Sequence, residues 1–555
     1  MVDMRGHPHP PLNSWILGGL LAMVGEVREP VFHAAYALFS LLAALGMYAL
    51  ARLYTPHALL ATALFCAVPA FVVNGNSLES DLPFLAFWML GMAAFFYGRV
   101  GLSMLPLGIA GIAAYQSVFA IPILWLYEWT NERRDWKRYA AALAPAIAVL
   151  LYQGWEDAPV VKAVGYFQEY GLQRFWPKVL NAAALTGHLG WMLFPALGLL
   201  AFVSKWALLA LPFAFFDLSP QYLVGVAVAL CFLTRSSRKY GWWPHVFFAG
   251  SLVLFFAGSA RYLLPMAAPL VLMAVERVNA RWLWIGCAAQ LLFSMSLAWV
   301  NYQHWDGYRE IVAKHGQEIA AKRTWVNGEW GLRFYAEEKG GLPLEQNSAL
   351  RPGQLLLTSE LGYPIPFTVG GGQLVELAKL EVRPSLPFRL IGLGSKSGYS
   401  TASAGVRPFD LDFGVLDRVR LEQVVERKPT LSWVPMGGPE SEFHIVSGAY
   451  QVEDGQYRWM GREAKFLVKP LRAVMDVAAV VYIADVAPAR EVELEVNGKV
   501  VAKQRFEKPG LYTVEARGVE VGLGDALISV RCDKTFQAPG DTRDLGMILR
   551  EAGLR

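Results

Sequence analysis

Charge is what this sequence is short of. Of its 555 residues 17% are Asp, Glu, Lys or Arg, against about 25% in an ordinary soluble domain. The deficit is uneven: charge is sparse before residue 302 and ordinary after it. A membrane half followed by a soluble half is the reading, with the break near Asn301. Cysteine is scarce too. Cys66, Cys231, Cys287 and Cys532 have no CxxC spacing, and three of them lie in apolar runs. That excludes a disulfide framework or a zinc site and leaves packed thiols. A formal net charge of +4 over this length gives no basic footprint for nucleic acid. The start, Met1 to Trp15, reads MVDMRGHPHPPLNSW. No cleavage site follows its apolar run, so it does not read as a secretory signal. No internal repeat is evident.

What is present is a series of apolar runs. A helix needs about 20 apolar residues to cross the hydrocarbon, and about 17 suffice. Crossings are expected at 31–52, 56–74, 82–98, 139–154, 180–203, 244–258, 262–276 and 282–301. Segments 102–131 and 206–234 each hold a shorter pair, divided near Gln116-Ser117 and near Asp217 to Pro220. The total is about twelve. Lys and Arg favour cytoplasmic loops. The positive loops are at Arg52, Arg99, Glu132 to Arg138, Lys205, Arg235 to Lys239, and Arg277 to Arg281. The alternate loops then face outward: Asn74 to Asp81, Trp155 to Lys178, Asp217 to Gln221, and Gly258 to Arg261. The N-terminus and everything after Asn301 face outward as well. The run 12–25 falls short of a span and carries Trp15 at its start. A helix lying at the outer interface fits it, and a short tilted span is the alternative.

The outward tail divides by pattern. Residues 303–426 mix a helical stretch (Tyr308 to Lys322), a short strand (Gly353 to Thr358) and glycine-rich loops (Gly370 to Gly372, Gly392 to Gly398). A small α/β domain is expected there. From 427 to 555 short strands dominate. The alternation on either side of Asn497-Gly498 predicts a type I′ hairpin. Many short strands with turns predict a β-sandwich. The expected fold is thus a polytopic α-helical membrane domain over 1–302, an α/β segment, and a β-sandwich.

The middles of the apolar runs hold almost no ionisable residues. Proton-coupled transporters bury such groups near the midplane, so an interfacial site is favoured over a conduction path. Three outward clusters carry the ionisable groups. The first is Arg5 with His7 and His9. The second is Asn74-Gly-Asn-Ser-Leu-Glu-Ser-Asp81, whose Glu79 and Asp81 stand two apart at the start of a helix. Asp81 also suits a helix cap. The third is Gly258-Ser-Ala-Arg-Tyr-Leu-Leu-Pro265. Arg261 there either snorkels to lipid headgroups or grips a phosphate bidentately. Lys162, Tyr166 and Arg174 are weaker candidates, and His188 reads as a packing histidine.

In this order the clusters resemble one family, the GT-C glycosyltransferases of the protein O-mannosyltransferase and lipid A aminoarabinose transferase type. His9-Pro-Pro-Leu to Trp15, Asp81-Leu-Pro-Phe-Leu-Ala-Phe-Trp88 and Arg261-Tyr-Leu-Leu-Pro265 with Pro269 carry the likeness, over roughly residues 7–300. Tyr457 to Met460 and Asp541 to Gly546 resemble β-sandwich segments attached to bacterial glycosyltransferases. The resemblance implies an inverting hexosyl- or pentosyltransferase of a cell membrane, the inner membrane in a bacterium. The donor is a sugar on a polyprenyl phosphate, and the acceptor a hydroxyl of a lipid, glycan or protein on the extracytoplasmic side. By match, Asp81 and Glu79 are the second-loop acids. His9, with His7 beside it, falls near the lipid phosphate, and Arg261 with Tyr262 and Lys162 are further phosphate-side candidates. The resemblance fixes no cofactor, although some members use a divalent metal. The family's first transmembrane helix and its first loop, with an Asp-Glu pair, precede the His-Pro-Pro-Leu segment. This sequence begins after them, so the general base stays unassigned and the activity of the chain as given is left open. Two other classes compete: a transporter or lipid flippase with an outer sugar-binding domain, and a membrane-anchored carbohydrate-binding protein.

Overall fold

The computed structural model describes residues 10–132, 135–156, 175–193, 204–235, 238–240, 242–255, 257–346, 348–369, 372–426, 429–538, 541 and 543–555. By contacts the chain divides into two units. One is Met1–Gln303 with Pro384–Gly414, and the other is His304–Arg383 with Val415–Arg555.

The first unit is helical. Among the described residues, two helices are long and apolar enough to cross a membrane, Glu29–Tyr54 and Ala280–Ala321. About twelve crossings were expected; the other described apolar runs form shorter helices, such as Asp81–Phe96, Val100–Ala113 and Trp243–Leu254, and 194–203 of the expected crossing 180–203 lies outside the described residues. Proline and tight turns account for the shortening. The run at 56–74 splits into Ala58–Cys66 and Pro69–Asn74, because Pro69 has no N–H to continue the ladder. Gln116 and Ser117 fall in a 3₁₀ turn, Tyr115–Phe119, between Val100–Ala113 and Ala120–Thr130. Lys205–Phe215, with Pro212 inside it, is 3₁₀ rather than α. The same holds for Ala260–Met266, which leads into Ala267–Arg277.

The opening run forms the helix Leu12–Val24 and ends at Gly25, whose φ is +82°. It is tied to the second-loop segment: Asn13 Nδ2 donates to the Leu78 carbonyl (3.0 Å), and the Tyr36 hydroxyl donates to Asn13 Oδ1 (2.5 Å). The core behind it is aromatic. Trp88 is fully buried, with ring centroids 5.9 Å from Trp243 and 5.6 Å from Phe247. Helices Phe175–Trp191 and Pro220–Leu233 pack through glycine. A Cβ built on Gly190 would stand 1.8 Å from the Gly225 carbonyl oxygen, so only a backbone without a side chain permits this approach.

Pro384–Gly414 rejoins this unit through an ionic clamp. Arg407 Nε donates to Asp217 Oδ2 (2.9 Å) and its Nη1 to Asp410 Oδ1 (2.6 Å). The backbone amides of Ser219 and Lys396 bond the two carboxylates at 2.7 and 2.9 Å. Burial pushes both carboxyls up, but these hydrogen bonds and the guanidinium outweigh it and hold both below the usual aspartate value. A depressed native pKa adds stability above the unfolded value, lost as pH falls through the native one. Hydrogen exchange of the Lys396 amide, which donates to Asp410, corrected for its intrinsic rate, is therefore expected to accelerate on acidification below the ordinary aspartate pKa. In Arg407→Ala it is expected to be about tenfold faster already at pH 7, the cost of roughly one charge-assisted hydrogen bond.

Among the described residues the second unit has two sheets. The first is mixed, in the order Leu342–Pro343, Thr324–Asn327, Leu355–Ser359, Asp417–Glu426, Gly372–Val382. The first three strands are parallel and the last two pair antiparallel. Helix Trp330–Glu338 lies in sequence between two of the parallel strands. Buried Asp417 accepts from the Tyr308 and Ser359 hydroxyls (2.7 and 2.6 Å) and from the Leu361 and Arg418 amides, which fixes the strand ends.

The second sheet has nine strands. Its path is Lys499–Phe506, Arg490–Val496, Ala526–Cys532, Tyr457–Val468, Ile548–Leu554, Val474–Ile483, Gly510–Glu520, with Trp433–Pro435 and Ile445–Glu453 paired to its middle. The end strands of the path are neighbours in sequence, and Phe506 and Tyr512 stack at 4.3 Å. One barrel-like sheet thus stands where a two-sheet sandwich was expected, because Ile548–Leu554 bonds to strands on both sides. The predicted hairpin is there. Asn497 and Gly498 have φ of 50° and 83° and Val496 pairs with Lys499, the geometry a type I′ turn demands.

Candidate functional site

The second and third clusters come together. Helix Asp81–Phe96 starts with Asp81 in its first turn and Pro83 just inside. Ser80 occupies the cap position without a side-chain bond, so Asp81 is not the cap that its sequence position allows. Its carboxylate turns to Arg261, which the 3₁₀ segment Ala260–Met266 presents. Arg261 Nη1 donates to Glu79 Oε1 at 2.5 Å. Its Nε stands 3.0 Å from Asp81 Oδ2, at an angle that leaves this N–H without a hydrogen bond. Glu79 Oε2 is buried and has no hydrogen-bond partner. The guanidinium lies 5.5 Å from the Tyr262 ring centre, and Tyr262 stacks on Phe255 at 4.2 Å.

Two carboxylates face one guanidinium, so one negative charge is unmatched. Burial pushes both carboxyls above their usual range, against the pull of Arg261, and Asp81 raises Glu79 further. Burial works against the charge on Arg261, yet the two carboxylates more than offset it and shift the guanidinium up. The arrangement can do two things. It fixes a permanent cation in a partly dry setting, able to meet an anion once one of its two carboxylates is neutralised or turned away. It also holds one carboxylate oxygen ready to take a proton.

A divalent metal does not fit this donor set. Among the described residues no three His, Cys, Asp or Glu side chains converge on one point. The two acids that do meet close on Arg261, whose charge occupies the space between them.

Of the expected site residues, Glu79, Asp81, Arg261 and Tyr262 are thus adjacent. His7, His9 and Lys162 lie outside the described residues, as do Arg5, Tyr166 and Arg174. His188 is buried and its Nε2 lies 3.0 Å from the Gly398 carbonyl, a packing role as its sequence setting suggested. Two residues, Tyr399 and Lys178, were missed as site neighbours. Asn74 Nδ2 donates to the Tyr399 hydroxyl (3.3 Å). Tyr399 comes from the returning segment, far from any apolar run, and carries no local signal. Lys178 Nζ binds the carbonyls of Val253 and Phe255 (2.6 Å each), which secures the turn before Gly258. A lysine at the edge of an outward loop was the signal available for it.

No curated protein sequence matches the chain. Among solved structures, the arabinofuranosyltransferase AftD from Mycobacteria is 11% identical, with 94% of this chain and 52% of that one aligned at a TM-score of 0.25. The arabinosyltransferase EmbB from Mycobacterium smegmatis is 12% identical, with 93% and 56% aligned at 0.22. The chain spans about half the length of these proteins, and likenesses this loose carry no argument about its chemistry. The sequence itself gives the firmer comparison: residues 8–153, which include the opening helix and both acids of the site, match the family of dolichyl-phosphate-mannose-protein mannosyltransferases.

Proposed function

We propose that the chain is a membrane glycosyltransferase that moves a sugar from a polyprenyl-phosphate donor to an acceptor hydroxyl on the extracytoplasmic side, with inversion. One observation carries this reading: Arg261 is held by Glu79 and Asp81, on segments that the charge pattern places at the outer ends of apolar runs. The family match over 8–153 supports sugar transfer as the chemistry.

In this reading Arg261 binds the phosphate of the donor. The acceptor oxygen attacks the anomeric carbon, the bond from that carbon to the phosphate oxygen breaks, and the lipid leaves as its monophosphate. The acceptor proton goes to Glu79, whose partly exposed side chain can turn the unpartnered Oε2 toward the acceptor. A carboxyl pKa raised by burial makes Glu79 a stronger base than a solvated glutamate. Asp81 keeps the guanidinium in register. The growing negative charge on the departing phosphate meets a cation already in place, which costs no reorganisation at the moment of reaction.

The test is transfer of labelled sugar from a polyprenyl-phosphate donor by the full chain in proteoliposomes, which also reveals the acceptor. Glu79→Gln is expected to lower kcat at least 100-fold, the usual range for a lost general base, with donor binding nearly unchanged. Asp81→Asn is expected to act mainly on KM. Equal rates for the wild type and Glu79→Gln would remove Glu79 from the proton transfer. Donor binding without transfer by the wild type would remove the activity itself.

A further inference from the structure

The segment Pro384–Gly414 joins the first unit next to the acidic loop, and Tyr399 is its point of contact. The residue is 7% exposed. Its carbonyl accepts from the Ala260 amide and from Ser259 Oγ, both at 3.0 Å; these are the two residues before Arg261. Its hydroxyl oxygen accepts from Asn74 Nδ2, at the start of the stretch that ends at Asp81. Its ring meets the His188 ring edge-on at 6.2 Å. Three residues on, the Ala402 amide donates to the Ala257 carbonyl at 2.5 Å. Gly258 fits between, since a Cβ there would stand 2.9 Å from Ala402 Cβ.

One side chain and its own carbonyl therefore bond the two stretches that carry the charged cluster. Arg261 and Glu79 both act electrostatically on the Tyr399 hydroxyl. Burial raises the pKa of this phenol, so it stays protonated at neutral pH, and the bond it accepts from Asn74 leaves its hydrogen free to donate.

We infer that Tyr399 is a positioning residue for the phosphate site, holding the 74–81 loop and the 259–261 turn at the separation at which Arg261 meets both Glu79 and Asp81. The inference rests on Arg261 being the phosphate ligand. It makes the returning segment a working part of the site.

The experiment uses the full chain in lipid nanodiscs and measures binding of undecaprenyl monophosphate, with inorganic phosphate as the headgroup control. Tyr399→Phe keeps the ring and removes the hydroxyl. It is expected to weaken binding about fivefold, the range of one lost hydrogen bond, and to raise the donor KM with kcat within twofold. The melting temperature is expected to hold. Asn74→Ala reads the same contact from the other side, and the double variant is expected to be no weaker than either single one, the mark of a shared interaction. Ser403→Ala, exposed on the same segment, is expected to change nothing. If Arg261→Ala weakens binding while Tyr399→Phe and Asn74→Ala leave it intact, the inference falls and the phosphate reading stands. If Arg261→Ala binds as the wild type does, the phosphate reading falls and takes the inference with it. Additive effects of Tyr399→Phe and Asn74→Ala would also overturn it.

Discussion

Arg261→Ala is expected to abolish measurable transfer and to weaken binding of a polyprenyl monophosphate by about 100-fold, the loss of charge-assisted hydrogen bonds to one anion. It is also expected to destabilise the protein. Buried Asp81 would keep its surroundings and lose its cation, while solvent screens the loss at Glu79, whose side chain is 42% exposed. The pH dependence identifies the cause. With the guanidinium gone, burial acts on both carboxyls unopposed, and their pKa values rise further than in the wild type. A carboxyl with a raised native pKa destabilises the fold above that pKa, and the penalty is relieved as pH falls through it. The melting temperature of Arg261→Ala, relative to the wild type, is therefore expected to recover as pH falls from neutral toward the ordinary carboxylate range. A deficit that stays constant with pH would show that the lost packing, rather than the lost charge, is responsible. Arg261→Lys separates the two functions. It returns the charge without the fork, so it is expected to restore most of the stability and little of the phosphate binding.

The second large effect lies at the opposite end of the apolar helices. Arg138 Nε and Nη2 donate to the two oxygens of Glu128 at 2.7 and 2.8 Å, and Arg138 sits 4.8 Å from the Phe95 ring centre. Glu128 is fully buried and Arg138 is 9% exposed. Glu128→Gln or Arg138→Ala is expected to cost about 3–5 kcal/mol, while replacing both by methionine is expected to cost little, since a desolvated pair gains little over apolar packing. Thermal unfolding of the single and double variants in detergent checks this. A double variant as unstable as the single ones would point to the Phe95 contact instead. Transfer activity per folded molecule is expected to be unchanged in the double variant, because nothing in the charged cluster touches this pair.

The charged cluster was readable because each member stands at the edge of an apolar run. Glu79 and Asp81 precede one and Arg261 opens another, so a polarity profile alone marks them. Their ion pairing was not readable, because the partners are separated by 182 positions and no spacing rule reaches that far. The Glu128–Arg138 pair was hidden for a different reason. Glu128 closes an apolar helix and Arg138 sits in a basic stretch, where a loop on the cytoplasmic side was the natural reading. The Asn497-Gly498 turn was fully legible, since its conformation is set by two residues. The closure of nine strands into one sheet was not, because strand order depends on pairings such as Val477 with Leu554, which local alternation does not encode. Helix lengths were overestimated wherever proline or a 3₁₀ turn interrupts an apolar run, as at Pro69 and Pro265, because hydropathy measures composition and not backbone continuity.

The return of Pro384–Gly414 also sets an order of events in synthesis. His188 waits for a partner 210 residues downstream, and Asn74 for one 325 residues downstream. At a ribosomal pace of about 5–20 residues per second, the helices of the first unit are complete for roughly 5–20 s before the residues that finish it emerge. Throughout that interval Ser259, Asn74 and Asp217 lack the partners that the returning segment supplies, and the charged cluster exists without its brace. A nascent chain arrested near residue 303 would carry all the acids and the arginine, yet acquire its settled geometry only once translation has passed Gly414.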